Sequence, residues 1–388
     1  MKFVNSNYSL EDLEEFRDED GFIDLSKIGL EFTPESREKR GTRERVKNWV
    51  DFNGKKVLIR GEVIKNYSVY AELIVEEIAN QLGIDTAHYD LIKFKDEEGK
   101  NIYGVLSESI IDFDKEELIT LHDLIGDESE YEDEDIMEAI EYEETIRYTF
   151  TVDKLRERFT KAGYSEDDIE NLIREYNKRL IFYLSVVDTD KHSENIAFIK
   201  KENSKEIQLG PNYDSEFSLL LERAPEMVDF FVGDNAQLKK EVDVAYPKIG
   251  IHVSEENGGL DSMWKDTLEM LCEDDEVYNY YMDTIKNGVD MDIVLQNVEK
   301  KIKAPLPNKV KELAKQTYQA RNEEIEKILN GETLELNTKS DPYQFLCYLI
   351  EQSKGQNIRT GEQIHIGRNM EKQIYDLETD KNNNLDER

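Results

Sequence analysis

The period of the apolar positions changes along the chain, and the changes mark out its parts. From about Gly41, short apolar runs alternate with turn signals. Residues 46–52 and 56–60 are predicted strands joined by Asn53-Gly54, a pair suited to the positive φ angles of a two-residue hairpin. Ala71, Ile74, Val75, Ile78 and Leu82 then recur at i, i+3, i+4, i+7 spacing, which predicts a helix over 69–82 with Ser68 as N-cap and Gly83 as its stop. Two more strands are predicted over 88–94 and 102–108, separated by Asp96-Glu97-Glu98-Gly99. After about residue 113 the period becomes helical. Ser165-Glu166-Asp167-Asp168 reads as a capping box that opens a long helix through Ile169, Leu172, Ile173, Tyr176, Leu180 and Leu184. Residues 261–329 again read as mostly helical. Residues 1–40 are mixed and acidic, with one short helix around 10–16, and the polar end 379–388 is expected to fray. There is no internal repeat. A small sheet-and-helix unit followed by a larger helical one predicts an α+β protein, and several folds share that order.

Composition narrows the partners more than the fold. The chain has 388 residues, 38% hydrophobic and 35% charged, and its 20 tyrosines and 15 phenylalanines supply bulk for a sizeable core. Its 87 acidic residues against 50 basic ones give a net charge of −37. Such a surface repels phosphate backbones and anionic lipid, so direct nucleic-acid and membrane partners are not expected. A nucleotide site here needs a local positive pocket and metal ions. The acidic run 127–144 reads as a solvated face or loop. Cys272 and Cys347 form no CxxC pair, which argues against a disulfide framework or a zinc site. No apolar run approaches the ~20 residues of a membrane span, and MKFVNSNYSLEDLEEF contains no signal-type stretch, so the expected location is cytoplasmic.

The chemistry-bearing residues gather where the long helix runs out. Asp188-Thr189-Asp190-Lys191-His192-Ser193-Glu194-Asn195 is followed by a predicted hairpin, 196–200 with 206–209, that delivers Gly210-Pro211-Asn212-Tyr213-Asp214. Phosphoryl transfer asks for a carboxylate to orient the attacking hydroxyl and oxygen ligands to hold magnesium against the phosphates. Protein kinases place the catalytic Asp five residues before a metal-binding Asn, the spacing of Asp190 and Asn195. A second metal carboxylate arrives after the following hairpin, where Asp214 stands. A D-x4-N match alone is nearly worthless in so acidic a chain. The apolar helix before it, His192 inside it and Pro-x-Tyr-Asp after it make it specific.

This segment resembles the catalytic loop of the HipA-like serine/threonine kinases, D-x-H-x-x-N followed by P-x-Y-D. The resemblance implies a bilobal protein-kinase-like fold that uses ATP and Mg2+, with Asp190 as catalytic base and Asn195 and Asp214 as magnesium ligands. It makes His192 a structural member of the loop. Asp188 either shapes the loop or is a solvated carboxylate. Upstream, residues 52–60 look like the family's N-lobe hairpin, and Ala71-Glu72 with Leu82-Gly83-Ile84 like its helix, so Glu72 aligns with the glutamate that pairs with the ATP-binding lysine. At ~100° per residue Glu72 lies about 60° from Val75, at the margin of the apolar face, with Glu76 and Glu77 further round toward solvent.

Two departures stand out. The family's lysine at the end of the second strand is Arg60 here, a planar fork instead of a point charge. Arg60 holds the phosphates, Lys55 or Lys56 reaches in instead, or transfer is crippled. Gly41-Thr42-Arg43-Glu44-Arg45 offers a single glycine for the phosphate loop and reads equally as a basic turn, so Thr42 and Arg43 are candidate cofactor contacts only in the first case. The adenine hinge is expected near 107–111. The expected domains are an N-terminal extension (1–40) too short for the extra HipA subdomain, an N-lobe (41–112), a helical C-lobe (113–330) and a C-terminal extension (331–388). The expected function is protein phosphorylation by a toxin or regulatory kinase. A translation factor is the family precedent for substrate and an antitoxin for partner. The alternatives are a nucleotide-binding pseudokinase and a small-molecule kinase on the same fold.

Overall fold

The computed structural model of the chain describes residues 4–30, 37–40, 43–62, 67–95, 99–125, 146–202, 204, 206–245, 247, 249–251 and 263–330. Thr42, the acidic run 127–144, Cys347 and all of 331–388 lie outside the described residues. Seven strands form one sheet: β1 (Val4–Ser6), β2 (Ile23–Asp24), β3 (Arg37–Arg40), β4 (Arg43–Phe52), β5 (Lys55–Glu62), β6 (Tyr89–Lys95) and β7 (Asn101–Glu108). Their order is β1-β4-β5-β7-β6-β2, with β3 paired to β4. The β4–β5 turn is the predicted one: φ is 51° at Asn53 and 93° at Gly54, and the Asp51 carboxylate accepts the Gly54 N–H at 2.5 Å. β4, β5, β7 and β6 are antiparallel to their neighbours, whereas β1 and β2 add in parallel at the two ends. Part of the expected extension is therefore built into the sheet.

Strand alternation assigns the two faces. Val57 and Ile59 turn to one side and pack with Leu13, Leu25, Val50, Phe52, Ile92, Phe94, Ile102 and Leu106, so residues 4–30 cover that face. Leu58 and Arg60 fall on the other side, where Tyr89, Leu91 and Val105 meet the helix α1 (Ser68–Leu82). Gly83 ends α1 with φ 68° and donates its N–H to the Ala79 and Asn80 carbonyls, a left-handed stop that glycine adopts without strain. Ser68 is the first residue of the helix, and Tyr67 caps it without a side-chain bond. The expected solvent position of Glu76 is also corrected. It is 4% exposed, because another helix packs along that side of α1.

The remaining strands are β8 (Glu116–Thr120), β9 (Ile146–Arg147), β10 (Ala197–Lys201), β11 (Ile207–Leu209) and β12 (Ile249–Ile251). β11-β10-β8 form a three-stranded sheet, and β9 pairs with β12. The other helices are α2 (Leu121–Ile125), α3 (Tyr148–Ala162), α4 (Glu166–Ser185), α5 (Pro225–Gly233), α6 (Asn235–Val244), α7 (Met263–Leu271), α8 (Asp275–Tyr280), α9 (Lys286–Gly288), α10 (Met291–Ile302) and α11 (Asn308–Leu329), with a π-helical turn over Tyr281–Ile285. Ser165 caps α4 by accepting the Asp168 N–H at 3.2 Å and donating to its carboxylate at 2.6 Å. The apolar side of α4, including Ile169, Ile173, Tyr176 and Leu180, joins one core with α1, α10 and α11. That core holds the end of α4 rigid, and the segment that follows it carries the loop of interest. Among the described residues no helix is long and apolar enough to cross a membrane.

Candidate active site

Arg60 leaves β5 on the α1 face, and its fork joins two carboxylates that belong to distant segments. One amino group donates to Glu72 of α1 and the other to Asp214. The strand beneath it is pinned by a close approach: a side chain on Gly104 of β7 would lie 2.6 Å from the Cα of Gly61, so only glycine fits there. Glu72 also accepts the Ser215 N–H at 2.9 Å, and the Tyr89 hydroxyl accepts the Asp214 N–H of the same turn at 2.9 Å. Burial opposes charge at Asp214, but the Arg60 guanidinium overcomes it and holds the carboxyl at about 2. Burial dominates at Glu72, raising its carboxyl above the ordinary value against the pull of Arg60 and the Ser215 N–H. One cation between two carboxylates cannot satisfy both equally, and Asp214 keeps the charge more firmly.

The loop after α4 is strapped to the Asp214 turn from below. Lys191 has no exposure, and its ammonium donates to the carbonyls of Tyr213 (2.7 Å) and Asp214 (3.0 Å) and lies 3.2 Å from the buried Asp188 carboxylate. Its charge also sits 4.7 Å from the centre of the Tyr183 ring. Burial opposes that charge, and Asp188 together with Tyr183 and Asp214 more than offsets it. Burial raises the Asp188 carboxyl, with Lys191 opposing. We read the pair as ionised, since a neutral Asp188 would leave a buried ammonium with carbonyls alone. Asp188 is thus a loop-shaping residue and not a solvated one. Lys191 was passed over in the sequence, where its position between Asp190 and His192 was the only signal.

His192 caps the short turn Ser193–Asn195, its Nδ1 accepting the Glu194 N–H at 3.3 Å. Asn195 donates its amide nitrogen to the Asp190 carbonyl at 3.2 Å, which leaves an oxygen as the donor it can offer a cation. Tyr213 donates its hydroxyl to the Glu194 carbonyl at 2.7 Å, tying the two motifs side by side. The backbone is left-handed at Val187 (φ 53°), Asp214 (57°), Leu219 (59°) and Leu220 (58°), a conformation that costs β-branched and bulky residues of order 1–3 kcal/mol each. The surrounding bonds hold these strained angles: Thr189 donates its N–H to the Phe217 carbonyl and Leu219 to that of Val186. Asn212 is anchored to the segment after α1 through Asp85, Thr86 and Ala87. These bonds tie the turn to the segment that follows α1.

Arg60, Glu72 and Asp214 are brought into one cluster, with Asp190, His192 and Asn195 on the strapped loop beside it. Arg43 lies at the start of β4, and Thr42 is outside the described residues. Glu216 is a residue sequence reasoning missed. Its carboxylate, with those of Glu72 and Asp214, forms a group whose oxygens lie within 4.8 Å of one another. Hard oxygen donors at Asp214 and Asn195 suit magnesium. A separate cleft of about 900 Å³ against Gln81, Asp290, Lys315 and Tyr318 contains none of these residues.

Residues 47–270, more than half of the chain, match the family described as the HipA-like C-terminal domain. The chain belongs to the HipA-like family. Among solved structures this HipA-like chain is similar to the Helicobacter pylori proinflammatory kinase CtkA, at 14% identity and a TM-score of 0.52, over 81% of this chain and 100% of that one. It is also similar to the Shewanella oneidensis MR-1 toxin–antitoxin protein HipA, solved with HipB and its operator DNA, at 14% identity and a TM-score of 0.46, over 78% of this chain and 68% of that one. No curated protein matches the chain. The expected fold class stands: the protein is α+β, with antiparallel sheets, a largely helical part and a kinase-like HipA-like fold. Family and fold both point to a kinase.

Proposed function

We propose that the chain is an ATP- and magnesium-dependent kinase that phosphorylates serine or threonine on a cellular protein. The observation that carries this reading is the Arg60 fork, which joins the sheet, α1 and the Asp214 turn at the place a nucleotide's phosphates would need a cation. Arg60 has five donors, and a planar guanidinium can serve phosphate oxygens as well as carboxylates. Asn195 and Asp214 would hold magnesium, which when bound would supply positive charge to offset that of the phosphates. Asp190 accepts the proton of the attacking hydroxyl. Lys191 and His192 keep the loop in shape, and Glu72 keeps Arg60 directed into the site. Following the family precedent, the substrate is a protein such as a translation factor and the regulatory partner an antitoxin.

One observation favours a second reading. An Arg60 amino group is bonded directly to Asp214, the carboxylate assigned to metal, and an arginine that stays there competes with the cation. In that case the chain is a nucleotide-binding pseudokinase. Incubation of the purified protein with Mg2+ and labelled ATP, followed by measurement of phosphate on protein, separates the two. Transfer that requires Mg2+ and is lost in Asp190→Asn supports the kinase. Nucleotide binding without any transfer supports the pseudokinase.

A further inference from the structure

We infer that Lys301 of α10 is a positioning residue for the active site, acting through Glu76 to hold α1 and hence Glu72 in place. Glu76 lies one helical turn beyond Glu72 on α1, and its side chain is 5% exposed. Among the described residues its carboxylate takes its partners from outside α1. Lys301 donates to both oxygens at 2.7 Å, Tyr89 donates its N–H at 3.0 Å, and the His88 ring nitrogen lies at 3.1 Å. Tyr89 is also the residue whose hydroxyl receives the Asp214 N–H, so the Glu76 group and the Asp214 turn share a strand.

The tie is the centre of a longer seam. Asn297 of α10 donates to Glu77 at 2.7 Å, and the Asp290 N–H before α10 donates to Gln81 at 3.1 Å. At the far end of α10, Lys303 pairs with Glu14, and Ile302 and Ala304 abut Gly21. Glu76, Glu77 and Gln81 of α1 are thus fastened to α10 and the residue before it. An exposed ion pair would do little here, but a buried carboxylate stripped of its lysine partner cannot stay as it is. It must take up water or swing α1 outward. Either of these disturbs the Arg60–Glu72–Asp214 cluster, because Glu72 has no second backbone anchor beyond Ser215 among the bonds described.

Lys301→Met and Lys301→Arg in the full chain test this, with no contact to nucleotide expected in either. The first readout is hydrogen exchange of the α1 amides, which reports local opening whether or not the protein is active. Losing a charge-assisted tie should speed it by about tenfold or more in Lys301→Met and leave it near wild type in Lys301→Arg. The second readout is Mg-ATP affinity by calorimetry, together with the division between KM for ATP and kcat. Affinity should fall by about tenfold in Lys301→Met, with KM for the protein substrate unchanged, and recover in Lys301→Arg. The functional half depends on the kinase reading given above. A wild-type protein that binds no nucleotide sinks that reading, while the exchange rates still decide the brace. Wild-type exchange in Lys301→Met overturns the brace itself. Faster exchange with unaltered Mg-ATP affinity overturns its link to the site.

Discussion

Removing the Arg60 fork should cost far more than removing a surface ion pair, and the cost should depend on pH in a defined direction. Arg60→Met keeps the aliphatic stem and deletes the charge. The structure sets the magnitude in two parts. Asp214 has a depressed carboxyl, from an ordinary 3.8 to about 2, and that depression is worth about 2 kcal/mol. Glu72, 1% exposed, would be left as a buried carboxylate without its cation. Breaking a buried pair from one side costs about 3–5 kcal/mol in all. The sign follows from the direction of the shift. A depressed carboxyl contributes stability that is complete above pH 3.8 and is lost as pH falls toward 2. Wild type should therefore lose about 2 kcal/mol over that interval, and Arg60→Met should not. Guanidinium unfolding midpoints at pH 7.5, 4 and 2.5 measure this. A double variant, Arg60→Met with Glu72→Gln, removes the stranded charge and should recover a substantial part of the loss. A single variant that is destabilised by less than 1 kcal/mol at pH 7.5, with no recovery in the double, would refute the account of the cluster.

Asp190→Asn should lower phosphoryl transfer by a factor on the order of 10² while keeping Mg-nucleotide binding and the unfolding midpoint, as measured by labelled phosphate and calorimetry. Asn195→Ala and Asp214→Ala should instead lose the magnesium dependence of nucleotide binding, and binding as tight as wild type in both would remove them as ligands. Glu222 is buried, and its carboxyl is pushed up to about 7, mainly by burial. A raised carboxyl contributes stability below its unfolded value near 4.5 that is lost as pH rises through 7. Glu222→Gln should accordingly be more stable than wild type by about 3 kcal/mol at pH 8, with the gap closing by pH 5, in pH-dependent thermal melts.

Local chemistry was readable from the chain, and long-range packing was not. Asn53-Gly54 marked its hairpin because only residues tolerant of positive φ fit that turn, and Ser165 marked the start of α4 because its hydroxyl satisfies an orphan N–H. The D-x-H-x-x-N and P-x-Y-D motifs were legible through their resemblance to the family's patterns, since the Asp-to-Asn spacing alone is too common in so acidic a chain. Glu76 was misread as solvent-facing, since helical geometry gives an azimuth and cannot say what packs there. Its partner lies 225 residues away. Lys191 was missed because a buried lysine looks like any other until its carbonyl acceptors are known. β1 and β2 were missed because three and two residues show no period.

That separation of 225 residues also orders events during synthesis. The chain emerges N-terminus first at roughly 5–20 residues per second, so about 11–45 s pass between the appearance of Glu76 and that of Lys301. Through that interval the sheet, α1, the loop after α4 and the Asp214 turn can all be present while one side of α1 still lacks its covering helix. Until α10 arrives, the Glu76 carboxylate has the Tyr89 N–H and the His88 ring beside it but lacks Lys301. A nascent chain on the ribosome thus carries every motif residue before it carries the brace, and the brace is completed only when most of the protein has been made.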